Sequence, residues 1–260
     1  MIVKMIAKMK TKRLYTLLVL LMVFVVSCTK PDEPNNGGNI GENDVDLECS
    51  GNIGGHDYVD LGLPSGTLWA VYNIGADSIG GYGDAFAWGE TVPKVNYAWA
   101  NYKYCNGDYN QLTKYCCDSL YGYHGFADTL KYLQDEDDAA VINWGEGWRM
   151  PSPDEFEELM NCCQYLRTSL NGVNGLLFTA PNGKSLFLPS AGVYSMGEHQ
   201  QAETYGFYWA NKLGADNIGV TMGCVFNFYY FDIMGTEYVS AGDEMTRAVG
   251  LPIRPVHIAD

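Results

Sequence analysis

The clearest periodic pattern of hydrophobic and polar positions in the chain follows Ser152. Apolar residues recur at the helical spacing of three and four positions, at Phe156, Leu159, Met160 and Cys163. The Ser152 side chain can accept hydrogen bonds from the first free N–H groups of a helix, and Glu155 completes a capping box with it. The pattern therefore predicts an amphipathic helix that starts after Ser152 and runs to about Tyr165.

Most other apolar residues fall in short runs separated by Gly, Pro and Asn, which is the pattern of strands joined by tight turns. Residues 176–179 and 184–188 flank Pro181-Asn182-Gly183 and predict a hairpin. A turn is also predicted at residues 171–175. Further strands are predicted at residues 58–61, 67–72, 206–210, 219–222, 224–231 and 251–256.

The middle of the chain is less regular. Residues 97–124 show little periodicity and predict a long irregular insert. Residues 127–143 predict one helix, or two short helices broken near the acidic residues 135–138. Because those carboxylates do not follow the calcium-loop pattern, we interpret them as a solvated helix end. The whole pattern indicates an α+β domain with a few central helices and antiparallel hairpins around them.

The N-terminus indicates export and a lipid anchor. Basic residues precede an apolar run from Leu14 to Val26 that is shorter than the roughly 20 residues needed to span a bilayer. The run ends in Val25-Val26-Ser27-Cys28, which resembles a bacterial lipobox with Cys28 as the acylated residue. The alternatives are a plain signal peptide or an uncleaved anchor. We predict a lipoprotein signal peptide at residues 1–27, a flexible lipid-anchored tether at 28–46 and a folded domain at 47–260.

The net charge of the chain restricts the classes of partner that it can bind. The whole chain has 31 acidic and 16 basic residues, and five of the basic residues lie in the predicted signal peptide. The remaining 11 leave the mature chain at a formal net charge of −20. Such a chain repels phosphate backbones and anionic lipid surfaces, so we expect no nucleic-acid partner and membrane contact through the lipid anchor only. The predicted location is the outer membrane, facing the periplasm or the cell surface.

Catalytic and metal-site patterns are weak. The four histidines fall in no zinc-protease or hydrolase motif, and the cysteines have no zinc-site spacing. We therefore predict no enzyme activity, no metal site and no cofactor. Cys105 could pair with Cys116 or Cys117 in an oxidising compartment, whereas Cys163, on the helical stripe, is interpreted as a small buried hydrophobe.

Several motifs occur in an order that resembles one known family. They are Tyr58 to Ala70, Gly83 to Thr91, Trp144 to Leu159, Asn171 to Gly175, Leu186 to Gly192, Tyr208-Trp209 and Ile253 to Val256. This series strongly resembles the Fibrobacter succinogenes major paralogous domain, which is common in Bacteroidetes lipoproteins. The resemblance covers about residues 47–257.

This resemblance implies a C-type-lectin-like fold, similar to that of formylglycine-generating enzymes and of retroelement-diversified proteins. It implies that residues 58–61 lie beside residues 253–256 and that a loop-rich face carries the ligand site. The closely spaced cysteine pair of the formylglycine-generating enzymes is absent. Glu33-Pro34-Asn35 matches a lectin calcium triplet but falls in the tether, and Trp209-Ala210-Asn211 is incomplete. We therefore expect no calcium site.

Two groups of residues are candidates for special roles. Trp144, Trp148, Arg149, Ser152 and Glu155 are interpreted as structural, with the arginine stacking on a ring and bonding carbonyl groups at the helix start. The candidate ligand-binding patch is aromatic and acidic, although alternate members could instead be core residues of a strand. It consists of Tyr229, Tyr230, Asp232, Glu237 and Tyr238.

The favoured function is a non-catalytic binding module at the cell surface or in the periplasm, with a glycan or protein ligand. One alternative is a structural or adhesion subunit of a surface assembly. Another is a retroelement-diversified receptor, in which sequence variability would concentrate near residues 216–250.

Overall fold

A computed structural model describes residues 47–145, 147–214, 221–231 and 236–259. Its strands are β1 Gly51–Ile53, β2 His56–Val59, β3 Thr67–Ala70, β4 Trp148–Arg149, β5 Gln164–Leu170, β6 Val173–Thr179, β7 Ser185–Pro189, β8 Val193–Ser195, β9 Glu198–Gln200, β10 Tyr205–Leu213, β11 Met222–Phe231, β12 Thr236–Thr246 and β13 Val256–Ile258. Its α-helices are α1 Ala139–Trp144 and α2 Pro153–Cys162, and 3-10 turns occur at Trp99–Asn101, Tyr123–Gly125 and Asp135–Asp137.

The strands form antiparallel sheets. One has five strands in the order β1-β2-β3-β13-β4, two have three strands in the orders β10-β11-β12 and β5-β6-β7, and β8 pairs with β9. The two short α-helices flank β4 along the chain, and the combination of few helices with antiparallel sheets confirms the predicted α+β class.

The resemblance implied that residues 58–61 lie beside residues 253–256, and this expectation is wrong because one strand lies between the two segments. β3 lies between β2 and β13 and pairs with both of them through Trp69. The predicted segment 253–256 cannot form a regular ladder because Pro255 has no N–H, so β13 begins only at Val256. Residues 58–61 and 253–256 are therefore not side by side.

Arg254 holds this last segment against β3. Its side chain is fully buried and donates hydrogen bonds to the carbonyl oxygens of Ala70, at 3.1 Å, and Val71, at 2.7 Å. Its Nε also donates to the side-chain oxygen of Asn73 at 2.8 Å. These contacts join residues more than 180 positions apart and close the domain.

The predicted hairpin around residues 181–183 is confirmed as β6–β7, with Gly183 at a φ of 86°. The helix at Ser152 is also confirmed, but it ends at Cys162 instead of about Tyr165. The strand β5 that follows was not predicted. It pairs with β6 across Asn171-Gly172, and both residues have positive φ, as a two-residue hairpin turn requires.

The buried face of α2 packs on two sheets. Phe156 stacks on Phe226 of β11 with ring centroids 4.7 Å apart and contacts Trp69 of β3 at 5.2 Å. Phe178 of β6 lies 6.0 Å from the same Phe226 ring. The predicted apolar stripe is therefore the contact through which the helix joins the sheets, and Cys163 at its end is buried as predicted.

Glu155 connects α2 to two strands of the five-stranded sheet. Its carboxylate accepts hydrogen bonds from both terminal nitrogens of Arg149 in β4, at 2.6 and 2.7 Å. It also accepts from the Ser152 backbone N–H at 2.8 Å and the Thr67 hydroxyl of β3 at 3.0 Å. Burial alone would raise the pKa of Glu155, but the bonds and charge of Arg149 outweigh it and hold this pKa below its ordinary value.

The prediction for residues 127–143 is correct only in part. The 3-10 turn at Asp135–Asp137 and helix α1 are the two short helices, but residues 127–134 are not helical. The interpretation of the acidic run as a solvated helix end is wrong for two of its members. Asp137 is buried and accepts from Tyr104, Tyr115 and Lys114, while buried Asp138 caps α1 and accepts from the Met150 N–H.

The long insert is attached to the rest of the domain through Arg247, which follows β12. The guanidinium is fully buried, lies 5.7 Å from the Trp88 ring and 5.5 Å from the Tyr102 ring, and donates to the Tyr115 carbonyl oxygen at 3.0 Å. Such cation–π contacts partly replace the water that a buried arginine loses. The insert is thus packed onto the end of β12.

The suggested disulfide between Cys105 and Cys116 or Cys117 is not formed, because all three are free thiols. The Cys105 thiol contacts the Trp99 carbonyl oxygen and the Cys116 thiol contacts that of Asp118, each at 3.1 Å. Burial raises the pKa of both thiols, which disfavours the reactive thiolate.

The predicted signal peptide, Cys28 and the tether lie outside the described residues. Within the described ranges, no helix has both the length and the apolar character needed to cross a membrane.

Replacing Glu155 with Gln should lower the free energy of unfolding by about 2–4 kcal/mol, because the substitution leaves Arg149 without its ionic partner. The difference in the free energy of unfolding between wild type and Glu155→Gln should be largest above pH 4.5, the ordinary pKa of a glutamate. It should decrease as the pH falls below that value, because the pKa of Glu155 is lowered in the folded state. Urea denaturation at several pH values measures both effects.

The matched control is Glu157→Gln, in the same helix at an exposed position, which should change the free energy of unfolding by less than about 0.5 kcal/mol. Equal effects of the two substitutions would contradict the assigned role of Glu155.

Candidate functional site

Both faces of the sheet β10-β11-β12 are buried over most of their length, and one of them emerges at the surface at its end. Tyr208, Phe226 and Phe228 lie on the face that packs toward α2. On the other face the register aligns Tyr205 of β10 with Tyr229 of β11 and Tyr238 of β12. Directly opposed residues of antiparallel strands share a face of the sheet. We call these three residues the tyrosine row.

The rings of the tyrosine row contact one another in sequence across the three strands. The Tyr205 and Tyr229 centroids are 4.7 Å apart, and those of Tyr229 and Tyr238 are 4.8 Å apart. Phe207 stacks on Tyr205 at 5.7 Å and continues toward the core. All three tyrosines are half-buried. Burial, with neighbouring Tyr238, Tyr205 and Asp243, raises the pKa of Tyr229, so this phenol stays protonated at neutral pH.

A group of polar side chains borders the row on the same face. The Asp243 carboxylate accepts hydrogen bonds from the Tyr238 hydroxyl at 2.9 Å, the Ser240 hydroxyl at 3.0 Å and the Asn227 side-chain amide at 3.2 Å. The Oδ1 atom of Asn227 is buried and has no hydrogen-bond partner in the described part of the chain. We call Asn227, Ser240 and Asp243 the Asp243 cluster.

A bulge in β12 explains why Asp243 reaches this face. Val225 pairs with Asp243, but the next residue of β11, Phe226, pairs with Ala241, so Gly242 is an extra residue in β12. Gly242 has a φ of 96°, which an L residue adopts only with strain. The bulge shifts the alternation by one position and turns the Asp243 carboxylate toward Tyr238 and Asn227.

The structure divides the predicted patch between the two faces. Tyr229 and Tyr238 lie together in the tyrosine row. Tyr230 and Glu237 pair with each other one position along the strands and therefore lie on the opposite face. There Tyr230 is 40% exposed, and the Glu237 carboxylate lies 3.6 Å from the guanidinium of Arg167. Asp232 lies outside the described residues.

Four residues of the site were missed by sequence reasoning. Tyr205, Asn227, Ser240 and Asp243 come from three strands, and only the strand register brings them together. The glycine at position 242 was the one local signal for the bulge, because an isolated Gly in a strand pattern often marks one. Strand β12 itself was not predicted, since its many polar residues hide the alternation.

The residues interpreted as structural lie at the five-stranded sheet. Trp148 is buried, and its indole N–H donates to the Ile53 carbonyl oxygen at 3.3 Å. Trp144 contacts Trp148 edge-on and stacks on His56 at 3.9 Å. Arg149 donates to the Met150 carbonyl oxygen at 3.3 Å, which confirms the predicted carbonyl contact. Its main partner in the described part of the chain is the Glu155 carboxylate instead of the predicted ring. The capping box of Ser152 and Glu155 is confirmed.

Burial against these rings lowers the pKa of His56, although nearby Asp57 raises it, so His56 is neutral at pH 7. Among the described residues, no three His, Cys, Asp or Glu side chains are grouped so that they could hold a metal ion. Comparison of the chain with protein-family models, curated proteins and solved structures found no match in any of the three.

Replacing Asp243 with Ala should lower the free energy of unfolding by about 1–3 kcal/mol, because three donors lose a charged acceptor. Chemical denaturation measures this loss. The control is Asp77→Ala in an exposed loop, which should change stability by less than about 0.5 kcal/mol. If Asp243→Ala left the free energy of unfolding unchanged, these hydrogen bonds would not stabilise the cluster.

Proposed function

We propose that this domain is a non-catalytic binding module that holds a glycan on the tyrosine row. The observation that carries the proposal is the alignment of three half-buried tyrosine rings beside a polar cluster on one face of a sheet. The Tyr229 ring lies between those of Tyr205 and Tyr238, so the row offers ring edges and hydroxyl groups to a ligand. Aromatic edges contact the C–H groups of sugars, and polar side chains at the border of the row bind the hydroxyl groups.

The side chains of the tyrosine row are preorganised for ligand binding. Its rings already contact each other across strands, so ligand binding orders few additional side-chain torsions. Tyrosine supplies a large contact area at low entropic cost, which is why it is frequent in binding surfaces. A platform on strands is also more rigid than one on loops.

We propose the wider identity on the resemblance described above. In this proposal the domain has a C-type-lectin-like fold and belongs to the Fibrobacter succinogenes major paralogous domain family. A lipid on Cys28 anchors it to the outer membrane, facing the periplasm or the cell surface. The placement of β3 and β13 as neighbours in one sheet supports the proposed closure of the two ends of the domain.

A retroelement-diversified receptor is the second candidate. Tyr229 and Tyr238 and the whole Asp243 cluster fall within residues 216–250, the region in which such variability would concentrate. A neighbouring reverse transcriptase gene with a template repeat would support this candidate. A protein ligand on the tyrosine row, instead of a glycan, would be expected in that case.

The direct test is a glycan array probed with the full chain in detergent. Wild type should bind at least one glycan, and Tyr229→Ala should weaken that binding roughly tenfold or more, because it removes the central ring of the row; tenfold corresponds to about 1.4 kcal/mol. The matched control is Tyr230→Ala, since Tyr230 is the adjacent, exposed tyrosine on the opposite face.

Equal losses for the two variants would exclude the tyrosine row as the site. Binding of surface proteins by wild type, with no binding to any glycan, would favour the protein ligand.

Replacing Cys28 with Ala should release the protein from the membrane fraction, because no acylated residue would then remain. Fractionation of cells followed by immunoblotting measures the release. Cys49→Ala, which removes another exposed thiol, is the control and should leave the protein with the membrane. Retention of the Cys28 variant would contradict lipid anchoring.

A further inference from the structure

The inference concerns a second surface, on the long insert, and it does not depend on the tyrosine row. We propose that three tyrosines of the insert, Tyr109, Tyr121 and Tyr123, bind arginine side chains of a protein partner. We call these three residues the insert patch. Their rings supply a stacking surface for a guanidinium group, and neighbouring carboxylates supply the opposite charge.

Backbone pairing within the insert brings the insert patch together. Leu112 pairs with Gly122, so the neighbours Tyr121 and Tyr123 lie on one side of this short bridge. The ring centroid of Tyr109 lies 6.4 Å from that of Tyr121. Tyr109 is 47% exposed, Tyr123 is 37% exposed and Tyr121 is half-buried. The outer rings of the insert patch are therefore open to a partner.

The loop that carries Tyr123 is held in one conformation. A small buried core of the insert lies under Tyr121. The Phe126 N–H donates to the Tyr123 carbonyl oxygen at 3.1 Å, and a side chain at Gly122 would collide with the Phe126 backbone. The Tyr123 ring contacts the ring of His124 at 4.1 Å on one side. A surface that is ordered in advance loses less side-chain freedom when a partner binds.

Two carboxylates beside the insert patch have no basic partner in the described part of the chain. Asp108 accepts a hydrogen bond from the backbone N–H of Tyr109 at 2.7 Å. Asp118 accepts from the backbone N–H of Leu120 at 2.9 Å, in the turn that leads into Tyr121. The predicted mature chain is also strongly acidic as a whole, and this charge attracts cationic partners.

The insert already binds cations of its own with the same combination of groups. The Lys103 ammonium lies 4.7 Å from the Tyr104 ring centroid and 3.3 Å from the Asp137 carboxylate. Lys114 lies 5.1 Å from the Tyr115 ring centroid and 2.6 Å from the same carboxylate. Among the residues that the structure describes, no cation lies over a ring of the insert patch. The insert patch therefore has the rings and the carboxylates of such a site, and a partner would bring the cation.

Arginine fits this surface better than lysine does. Its planar guanidinium stacks on an exposed ring and can still donate N–H groups to a carboxylate such as Asp108. Arginine and tyrosine are also enriched among the residues that contribute most to protein–protein binding. A neutral glycan would bring no positive charge to Asp108 and Asp118.

The insert patch and the tyrosine row are separate surfaces. Tyr238 of the tyrosine row lies near the start of β12, whereas the insert is attached through Arg247, just after the end of this strand. The 11 residues of β12 span roughly 35 Å at about 3.3 Å each. Substitutions on one surface are therefore not expected to change binding at the other.

The test uses the full chain in a non-ionic detergent and three synthetic peptides in which glycine alternates with four arginines, four lysines or four glutamates. Fluorescence anisotropy of the labelled peptides measures binding at low ionic strength. Wild type should bind the arginine peptide several-fold more tightly than the lysine peptide and should not bind the glutamate peptide.

Replacing both Tyr109 and Tyr123 with Ser should weaken binding of the arginine peptide about five- to tenfold, because the change removes two exposed rings and no charge. Asp108→Asn should weaken it roughly twofold and tests the same surface if the double variant fails to fold. The matched control is Tyr230→Ser. Tyr230 is 40% exposed beside a carboxylate that already pairs with an arginine, so this variant should keep the affinity of wild type.

Equal affinity of wild type and the double tyrosine variant for the arginine peptide would overturn the inference, since attraction to the acidic domain as a whole would then explain the binding. Equal binding of the arginine and lysine peptides, or no binding of either to wild type, would also overturn it. Tyr229→Ala, which tests the tyrosine row, should leave peptide binding unchanged. Failure of this inference is thereby distinguished from failure of the proposed function.

Discussion

The ionic contact between Arg149 and Glu155 is the interaction on which the arrangement of the domain depends. Glu155 completes the capping box of α2 with Ser152, Arg149 belongs to β4 beside the C-terminal strand, and Thr67 belongs to β3. One buried carboxylate therefore sets the start of the helix and its position against the sheet that joins both ends of the domain. A carboxylate with five donors around it tolerates few other geometries.

The position of α2 in turn decides which face of the neighbouring sheet the helix covers. Phe156 covers Phe226 on one face of β11, whereas Asn227 and Tyr229 lie on the other face, where Asn227 is buried and Tyr229 is half-buried. The insert, held by buried Arg247, packs beyond β12. The tyrosine row lies where the sheet leaves the packed interior, and its rings are half-buried for that reason.

Local signals in the sequence were sufficient for several elements. The Ser152–Glu155 capping box and the apolar stripe after it identified α2, and Pro181-Asn182-Gly183 identified the β6–β7 hairpin. Both depend on contacts between residues close in the chain. Strand β12 was missed because its half-exposed residues and its bulge at Gly242 break the alternation that marks a strand. The order of strands at the domain ends was missed because Arg254 and Pro255 act on a distant strand.

The sequence by itself determined the α+β class, the start of the main helix and the two tyrosines, Tyr229 and Tyr238, that lie in the site. Tertiary structure alone decided that Tyr230 and Glu237 face the other way, that Tyr205 joins the tyrosine row and that Asp243 borders it. The physical reason is the two-residue period of a strand. A single-position shift, such as the one at Gly242, exchanges the two faces, and only pairing with neighbouring strands shows where it occurs.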